Sequence, residues 1–143
     1  MRSGIKPSEE LIKEYELLKF NKGTKCMVLD IVKKDNVDTL ECVFTGDKNF
    51  SYKDIFEQLP EDAPRFVLID FDYETDENPP RKTNKLIFIF WCPTQKVKST
   101  LRFTYSSSVG EIISTLGAIS KQFQVDDFAG LDYDTIRKEL LKA

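Results

Sequence analysis

The sequence predicts an α+β fold in which a mixed, mostly antiparallel sheet of five strands is flanked by helices on both faces. Three observations predict it. The run Leu86–Trp91 is apolar throughout and rich in β-branched and aromatic residues, which is typical of a central strand buried on both faces. Other strand-like runs flank short polar turns, as in hairpins. Amphipathic segments with capping residues supply helices for the two faces of the sheet.

The N-terminal half is predicted to form a helix, a hairpin and a short second helix. Ser8 has the position of an N-cap, and the first helix ends before Gly23. Strands 26–32 and 40–44 flank a polar turn, which favours a hairpin. Residues 52–59 form a short helix that Ser51 caps and Pro60 ends.

The C-terminal half is predicted to add a long hairpin of strands 66–73 and 85–92, followed by helices. A helix over 96–105 is expected to cover the sheet with Val97, Leu101 and Tyr105. At serines 106–108 either a new helix starts, with Ser108 and Glu111 as a capping box, or one long helix kinks. A short strand at 123–125 and a helix capped by Asp132 complete the prediction.

Length and composition favour a single domain over 1–143 in which residues 1–7 are a mobile N-terminal tail. No apolar run reaches the roughly 18 residues of a membrane span, so stable membrane insertion is not expected. The N-terminus has no apolar signal-peptide core, so we expect a cytoplasmic protein. Cys26, Cys42 and Cys92 lack metal-ligand spacing and are interpreted as buried thiols.

Composition argues against an enzyme and against cofactors. The chain has no histidine, which removes the usual general base and excludes Ser–His and Cys–His nucleophile pairs. No glycine-rich phosphate loop and no metal site are predicted. The alternating acids Asp70, Asp72, Glu74 and Asp76 fail as a calcium loop, since the required glycine and final glutamate are missing. They are interpreted as a solvent-facing acidic edge.

Positive charge is concentrated in one segment of an otherwise acidic chain. Six of the 21 basic residues and none of the 24 acidic residues lie between Arg81 and Arg102. This pattern favours a docking site for an anionic partner, and the alternative is a solvated face neutralised by neighbouring carboxylates. Nucleic acid is not expected as a partner, since the basic segment lacks interleaved exposed aromatics. The basic residues are Arg81, Lys82, Lys85, Lys96, Lys98 and Arg102.

Several motifs, in the same order along the chain, resemble the actin-depolymerising-factor/cofilin family. The resemblance covers almost the whole chain and implies the ADF-homology fold. The motifs are Ser3-Gly4-Ile5, Ser51-Tyr52 with Glu57–Glu61, Asp70–Glu74, Lys85–Pro93, Phe103–Ser108, and Asp127-Phe128 with Tyr133-Asp134.

The resemblance implies that actin is the partner and that two surfaces bind it. Phe103 would fill an apolar cleft on actin as an anchor, with Arg102 as its charged neighbour. The implied monomer-binding residues are Ser3, Gly4, Ile5, Lys6, Lys98, Arg102, Phe103, Ser107, Ser108 and Ile112. The implied filament-binding residues are Arg81, Lys82, Lys85, Arg137 and Lys138.

By the same resemblance the protein is expected to be a cytoskeleton-associated monomer that severs and depolymerises filaments without a catalytic group. Ser3 is the implied phosphorylation site, because a phosphate there would repel an acidic actin surface. Phosphoinositide head groups are a further implied partner of Lys98 and Arg102.

Neutral residues occupy positions where the family carries charge, and they keep open the alternative of a module that binds monomers or an actin-related-protein complex without severing. A second alternative, a phosphoinositide-directed adaptor, rests on the basic residues Lys98 and Arg102. The neutral positions are Thr100, Val109, Gly110, Ile113 and Ser114.

Overall fold

The computed structural model describes residues 5–142, which form one mixed six-stranded sheet and four α-helices. The strands lie in the order β1-β3-β2-β4-β5-β6. The strands are β1 Lys6–Pro7, β2 Thr24–Lys34, β3 Val37–Asp47, β4 Arg65–Glu74, β5 Lys82–Trp91 and β6 Lys121–Val125. The helices are α1 Glu9–Lys19, α2 Ser99–Ser106, α3 Val109–Leu116 and α4 Tyr133–Leu141, with 3₁₀ helices at Tyr52–Glu57 and Ala129–Leu131.

The centre of the sheet is antiparallel, and the predicted hairpins are confirmed. Strands β2 and β3 pair down to Lys34 and Val37, and the turn residues Asp35 and Asn36 have φ of 49° and 64°. Positive φ at both central residues is the geometry of a tight hairpin turn. Strands β4 and β5 pair over their full length, from Arg65 opposite Trp91 to Glu74 opposite Lys82. The edge strands β1 and β6 are parallel to their neighbours.

The structure differs from the prediction at the N-terminus, where Lys6 and Pro7 are part of the sheet and Ile5 is buried. Lys6 and Pro7 pair with Thr39 and Leu40 of β3, which raises the strand count from five to six. Ile5 is 6% exposed and packs in the core with α1. Two residues carry no periodicity, so only tertiary pairing could reveal this strand. The predicted tail residues Ser3 and Gly4 lie outside the described residues.

Helices cover both faces of the sheet, as predicted. On one face α1, α2 and α3 enclose a cluster that includes Phe66 and Phe88. On the other face the first 3₁₀ helix and α4 enclose a cluster that includes Phe71 and Trp91. The indole N–H of Trp91 donates to the Pro60 carbonyl at 2.7 Å, which satisfies the one polar atom of that side chain.

Local capping explains where the helices of the N-terminal half begin. The Ser8 hydroxyl accepts a hydrogen bond from the Leu11 N–H at 3.1 Å, which confirms the predicted N-cap of α1. The Ser51 N–H donates to the Asp54 carboxylate at 3.0 Å at the start of the first 3₁₀ helix. The predicted short helix is therefore present, although it ends at Glu57.

Helix α2 ends at Ser106 and α3 begins at Val109, so a new helix starts as in the first alternative, while the serine hydroxyls bond back to the preceding turn as in the second. The predicted capping box is wrong in its use of Ser108, whose hydroxyl donates backwards to the Thr104 carbonyl at 2.9 Å instead of capping α3. Helix α2 starts at Ser99, later than predicted. Val97 is buried before it, whereas Leu101 is 40% exposed and does not cover the sheet.

The predicted acidic edge is wrong at Asp70, which is 6% exposed. Its carboxylate accepts from Asn84 at 2.6 Å and pairs with Lys25 at 3.4 Å, whereas Asp72 is exposed. Cys26 and Cys92 are buried, and Cys42 is half-buried. Over residues 5–142, no group of carboxylates and thiols is arranged to hold a metal ion. No helix in that range has the length and apolarity needed to cross a membrane.

Candidate functional site

Phe103 projects from the outer face of α2. Its side chain is 63% exposed, the highest value among the exposed large hydrophobic residues of the described chain. Tyr105, two positions further along the helix, is 6% exposed and packs in the core. An exposed aromatic ring on a helix whose opposite face is buried presents apolar area to a partner at little conformational cost.

Tyr105 fixes the rotation of α2 over the sheet. Its hydroxyl donates to the Asp30 carboxylate at 2.5 Å, and its ring lies 5.5 Å from that of Phe66. Asp30 also pairs with Arg65 at 3.5 Å, so the hydroxyl joins a polar network that spans β2 and β4. Burial, together with the hydrogen bond to Asp30, raises the pKa of Tyr105, and the phenol remains a donor at neutral pH.

Arg102 lies between the exposed and buried faces of α2. Its Nε atom is buried without a hydrogen-bond partner among the described residues. Burial raises the pKa of the Cys92 thiol, and the nearby charge of Arg102 partly opposes that shift. Because this nitrogen is buried, a partner cannot reach it, and what Arg102 can offer a partner is its positive charge beside the exposed ring of Phe103.

The remaining residues implied for the first surface divide into exposed and buried. Lys98 is exposed at the N-cap of α2, and Lys6 is exposed on β1, while Ser107 is half-buried. Ser108, Ile112 and Ile5 are 0%, 4% and 6% exposed, so their side chains face the core. These three can shape the surface from beneath, but their side chains do not offer contact area.

A second candidate surface is an arm formed by residues 70–74 of β4 and 82–85 of β5. Strand β2 pairs with β4 only as far as Ile69, and the pairing of β6 with β5 begins at Ile87. Beyond these points the hairpin extends from the sheet as two strands, with α4 packed beside it. A cleft of about 780 Å³ lies between the arm and α4.

The basic residues of this region are partly neutralised. Arg81 pairs with Glu77 at 3.4 Å, and Lys96 pairs with Glu61 at 3.2 Å. Within residues 5–142, Lys82 and Lys85 form no ion pair, so both keep their charge for a partner. The interpretation as a face neutralised by carboxylates therefore holds for Arg81 and Lys96, while docking of an anionic partner through Lys82 and Lys85 stays a prediction.

Of the two basic residues of α4 implied for this surface, one is bonded within the protein and the other has no ion pair in the described chain. Nε and Nη2 of Arg137 donate to the Glu74 carbonyl at 2.9 and 2.6 Å, and Nη2 also contacts the Asp76 carboxylate at 3.0 Å. Lys138 is exposed, and no carboxylate of the described chain pairs with it. Arg137 is thus engaged inside the protein, whereas Lys138 is available.

Comparison with known proteins identifies the family of the chain that carries these surfaces. Residues 4–141 match the family described as cofilin/tropomyosin-type actin-binding protein. The chain belongs to this family. The cofilin family resemblance noted in the sequence is therefore confirmed across nearly the whole chain.

Individual relatives agree with this assignment. The chain is 30% identical over 137 residues to a cofilin of Mycosarcoma maydis, covering 95% of this chain and 94% of the relative. It is 31% identical over 136 residues to an actin-depolymerizing factor of Lilium longiflorum, covering 94% of each. The crystal structure of Streptomyces griseoflavus cofilin superposes with a TM-score of 0.83 at 24% identity, covering 98% and 99% of the chains, which shows that the cofilin fold is shared.

Sequence reasoning missed the residues that support the two surfaces from within. Asp30 lies 75 positions from Tyr105, and Tyr133 lies 61 positions from the Asp72 carbonyl that it contacts. No local pattern connects such pairs. A signal was available for Ser108 and Ile112, because they follow the buried Tyr105 by three and seven positions and so share its face of the helix.

Proposed function

We propose that this protein binds actin monomers through the outer face of α2 and filaments through the arm and α4, and that it severs and depolymerises filaments. The observation that supports this most directly is the 63% exposure of Phe103 in a member of an actin-binding family. An exposed aromatic anchor beside an arginine has the composition of an interface hot spot.

The chemistry of the surfaces suits disassembly without a catalytic group. A protein that binds adjacent subunits in one relative orientation more tightly than in another shifts the filament toward that orientation. The shift is limited by the difference between the two affinities. Strain between altered and unaltered stretches of filament would then favour breakage.

The test compares Phe103→Ala with Leu101→Ala, a matched truncation of a second exposed apolar side chain of α2. Hot-spot truncation is expected to weaken monomer binding at least roughly tenfold, and to abolish severing seen by fluorescence microscopy. The control should bind and sever almost as the unmodified protein does. Equal behaviour of the two variants, or no effect of saturating protein on filament length, would refute the proposal.

A second candidate is an actin-monomer-binding module that does not sever. It is favoured by the neutral outer surface after Phe103, where Val109 is half-buried and Gly110 is open to solvent. Fewer cations at this surface lower the electrostatic contribution to association with an acidic partner. Monomer binding that depends on Phe103, combined with intact filament length, would favour this candidate over the first.

A further inference from the structure

The arm lacks a neighbouring strand where it extends from the sheet. Beyond the pair Cys26–Ile69, β2 no longer pairs with β4, so the edge of β4 from Asp70 to Glu74 has no strand beside it within the described chain. A two-stranded hairpin is marginally stable in water unless other elements pack against it. Something must therefore hold this arm in place.

Helix α4 occupies that edge with two side chains one helical turn apart. The Tyr133 hydroxyl donates to the Asp72 carbonyl at 2.7 Å, and its ring is stacked on that of Phe71 at 4.8 Å with an angle of 25° between the ring planes. Arg137 donates through two nitrogens to the Glu74 carbonyl. The two side chains thus bond alternate carbonyls of β4, as a neighbouring strand would.

Arg137 also forms an ion pair with the loop at the end of the arm. Its side chain is 25% exposed, and it pairs with the largely exposed carboxylate of Asp76 in the loop that joins the two strands. That loop is closed further by the Arg81 N–H, which donates to the Thr75 hydroxyl at 3.0 Å. Arg137 therefore connects α4 to both the strand and the loop of the arm.

We propose that Tyr133 and Arg137 are positioning residues that clamp the arm onto α4, and that Arg137 is not itself a filament contact. This inference rests on the proposed function, in which the arm binds filaments. The clamp would set the direction in which Lys82 and Lys85 point. The exposed Lys138 would be the direct contact of α4.

The experiment compares four variants, Tyr133→Phe, Arg137→Lys, Arg137→Ala and Lys138→Ala, by filament co-sedimentation and by hydrogen exchange of the free protein. Tyr133→Phe removes one hydroxyl without changing charge, and Arg137→Lys keeps the charge but loses the forked donors. Lys138→Ala, a neighbouring exposed cation of the same helix, is the matched contact control. Filament affinity is measured across an ionic-strength series, since only loss of a contacting charge changes the salt dependence.

The clamp predicts that Tyr133→Phe and Arg137→Lys speed exchange of the arm amides around Thr75 and Thr83 by about tenfold, since each loses hydrogen bonds to the arm. Both should weaken filament binding several-fold because a loosened arm must be ordered when it binds. The salt dependence should be unchanged because Lys82 and Lys85 are still present to contact the filament, and amides of β2 should keep their protection. Lys138→Ala should leave exchange unaltered and reduce both the affinity and its salt dependence.

Full filament affinity in both clamp variants would overturn the inference, as would a weaker salt dependence in Arg137→Ala with normal exchange of the arm. Failure of the proposed function looks different. In that case the unmodified protein does not pellet with filaments, and the exchange rates alone decide whether the clamp exists.

Discussion

At the scale of single residues, we expect the Tyr105 hydroxyl to hold α2 in the orientation that exposes Phe103. This hydroxyl donates to Asp30 beneath α2. Tyr105→Phe is expected to lower the free energy of unfolding by about 1–3 kcal/mol, because a buried hydrogen bond is lost and Asp30 loses a partner. It should also weaken monomer binding, although it alters no exposed atom of the helix. Urea denaturation and a monomer titration measure the two effects.

Tyr73→Phe is the matched control for that substitution. Tyr73 is likewise 6% exposed and packs against the sheet on the face opposite α2, but its hydroxyl has no hydrogen bond to the described chain. Its loss should change stability by less than about 0.5 kcal/mol. Equal destabilisation by the two substitutions would show that the link to Asp30 has no special role.

The sequence motif that contains Phe103 indicated the right stretch of chain but not the direction of every side chain. Phe103 is exposed and Arg102 is half-buried, whereas Ser108 and Ile112 lie in the core. A motif marks neighbours along the chain, while exposure follows the helical period of 3.6 residues. Counting that period from Tyr105 places Ser108 and Ile112, three and seven positions on, at the buried face and sets Phe103 apart from them.

At the scale of elements, α1 and the end of α3 are tied by a buried tyrosine. The Tyr15 hydroxyl donates to the Gly117 carbonyl, and Gly117 ends α3 with a φ of 68°. Burial raises the pKa of Tyr15 from its ordinary value of 10.0 to about 12. The fold therefore favours the neutral phenol, which keeps its proton to donate.

This shift predicts alkaline sensitivity of the fold. Because the pKa in the folded state is the higher one, the stabilisation is fully present below pH 10.0 and is lost as the pH rises toward about 12. Tyr15→Phe should make the free energy of unfolding fall less steeply above pH 10.0, as urea denaturation at a series of pH values would show. Parallel curves for the two proteins would contradict the assignment.

Elements with strong local signals were predicted well, and elements made by pairing were not. Ser8 caps α1 as expected, and the long β4–β5 hairpin follows from two clear apolar runs. The short strand β1 exists only because β3 offers it an edge. The clamp of α4 on β4 also joins side chains to distant carbonyls, so periodicity carried no sign of it.

At the scale of the whole molecule, the sheet separates the two candidate surfaces. Helices α2 and α3 pack on one face, while α4 packs on the other and holds the arm. A protein with binding surfaces on opposite sides of a rigid sheet can contact two neighbouring subunits at once. Effective concentration then makes the second contact favourable even when it is weak alone.

The fold class and family could be predicted because many weak signals agreed along the chain. Which basic residues of the segment form ion pairs could not be predicted, because that depends on which carboxylates the fold brings near them. Arg81 is paired with Glu77, four positions before it, and Lys96 with Glu61, which is distant in the sequence, whereas Lys82 and Lys85 have no ion pair within residues 5–142. Net charge along a sequence therefore overstates the charge that a folded surface offers.

The most direct test of two separate surfaces is one filament co-sedimentation and monomer-titration series. It compares the unmodified protein with Phe103→Ala and with the double variant Lys82→Ala/Lys85→Ala. We expect Phe103→Ala to lose monomer binding, and the double variant to keep it while pelleting several-fold less with filaments. Loss of monomer binding in the double variant, or full filament pelleting by it, would contradict the account.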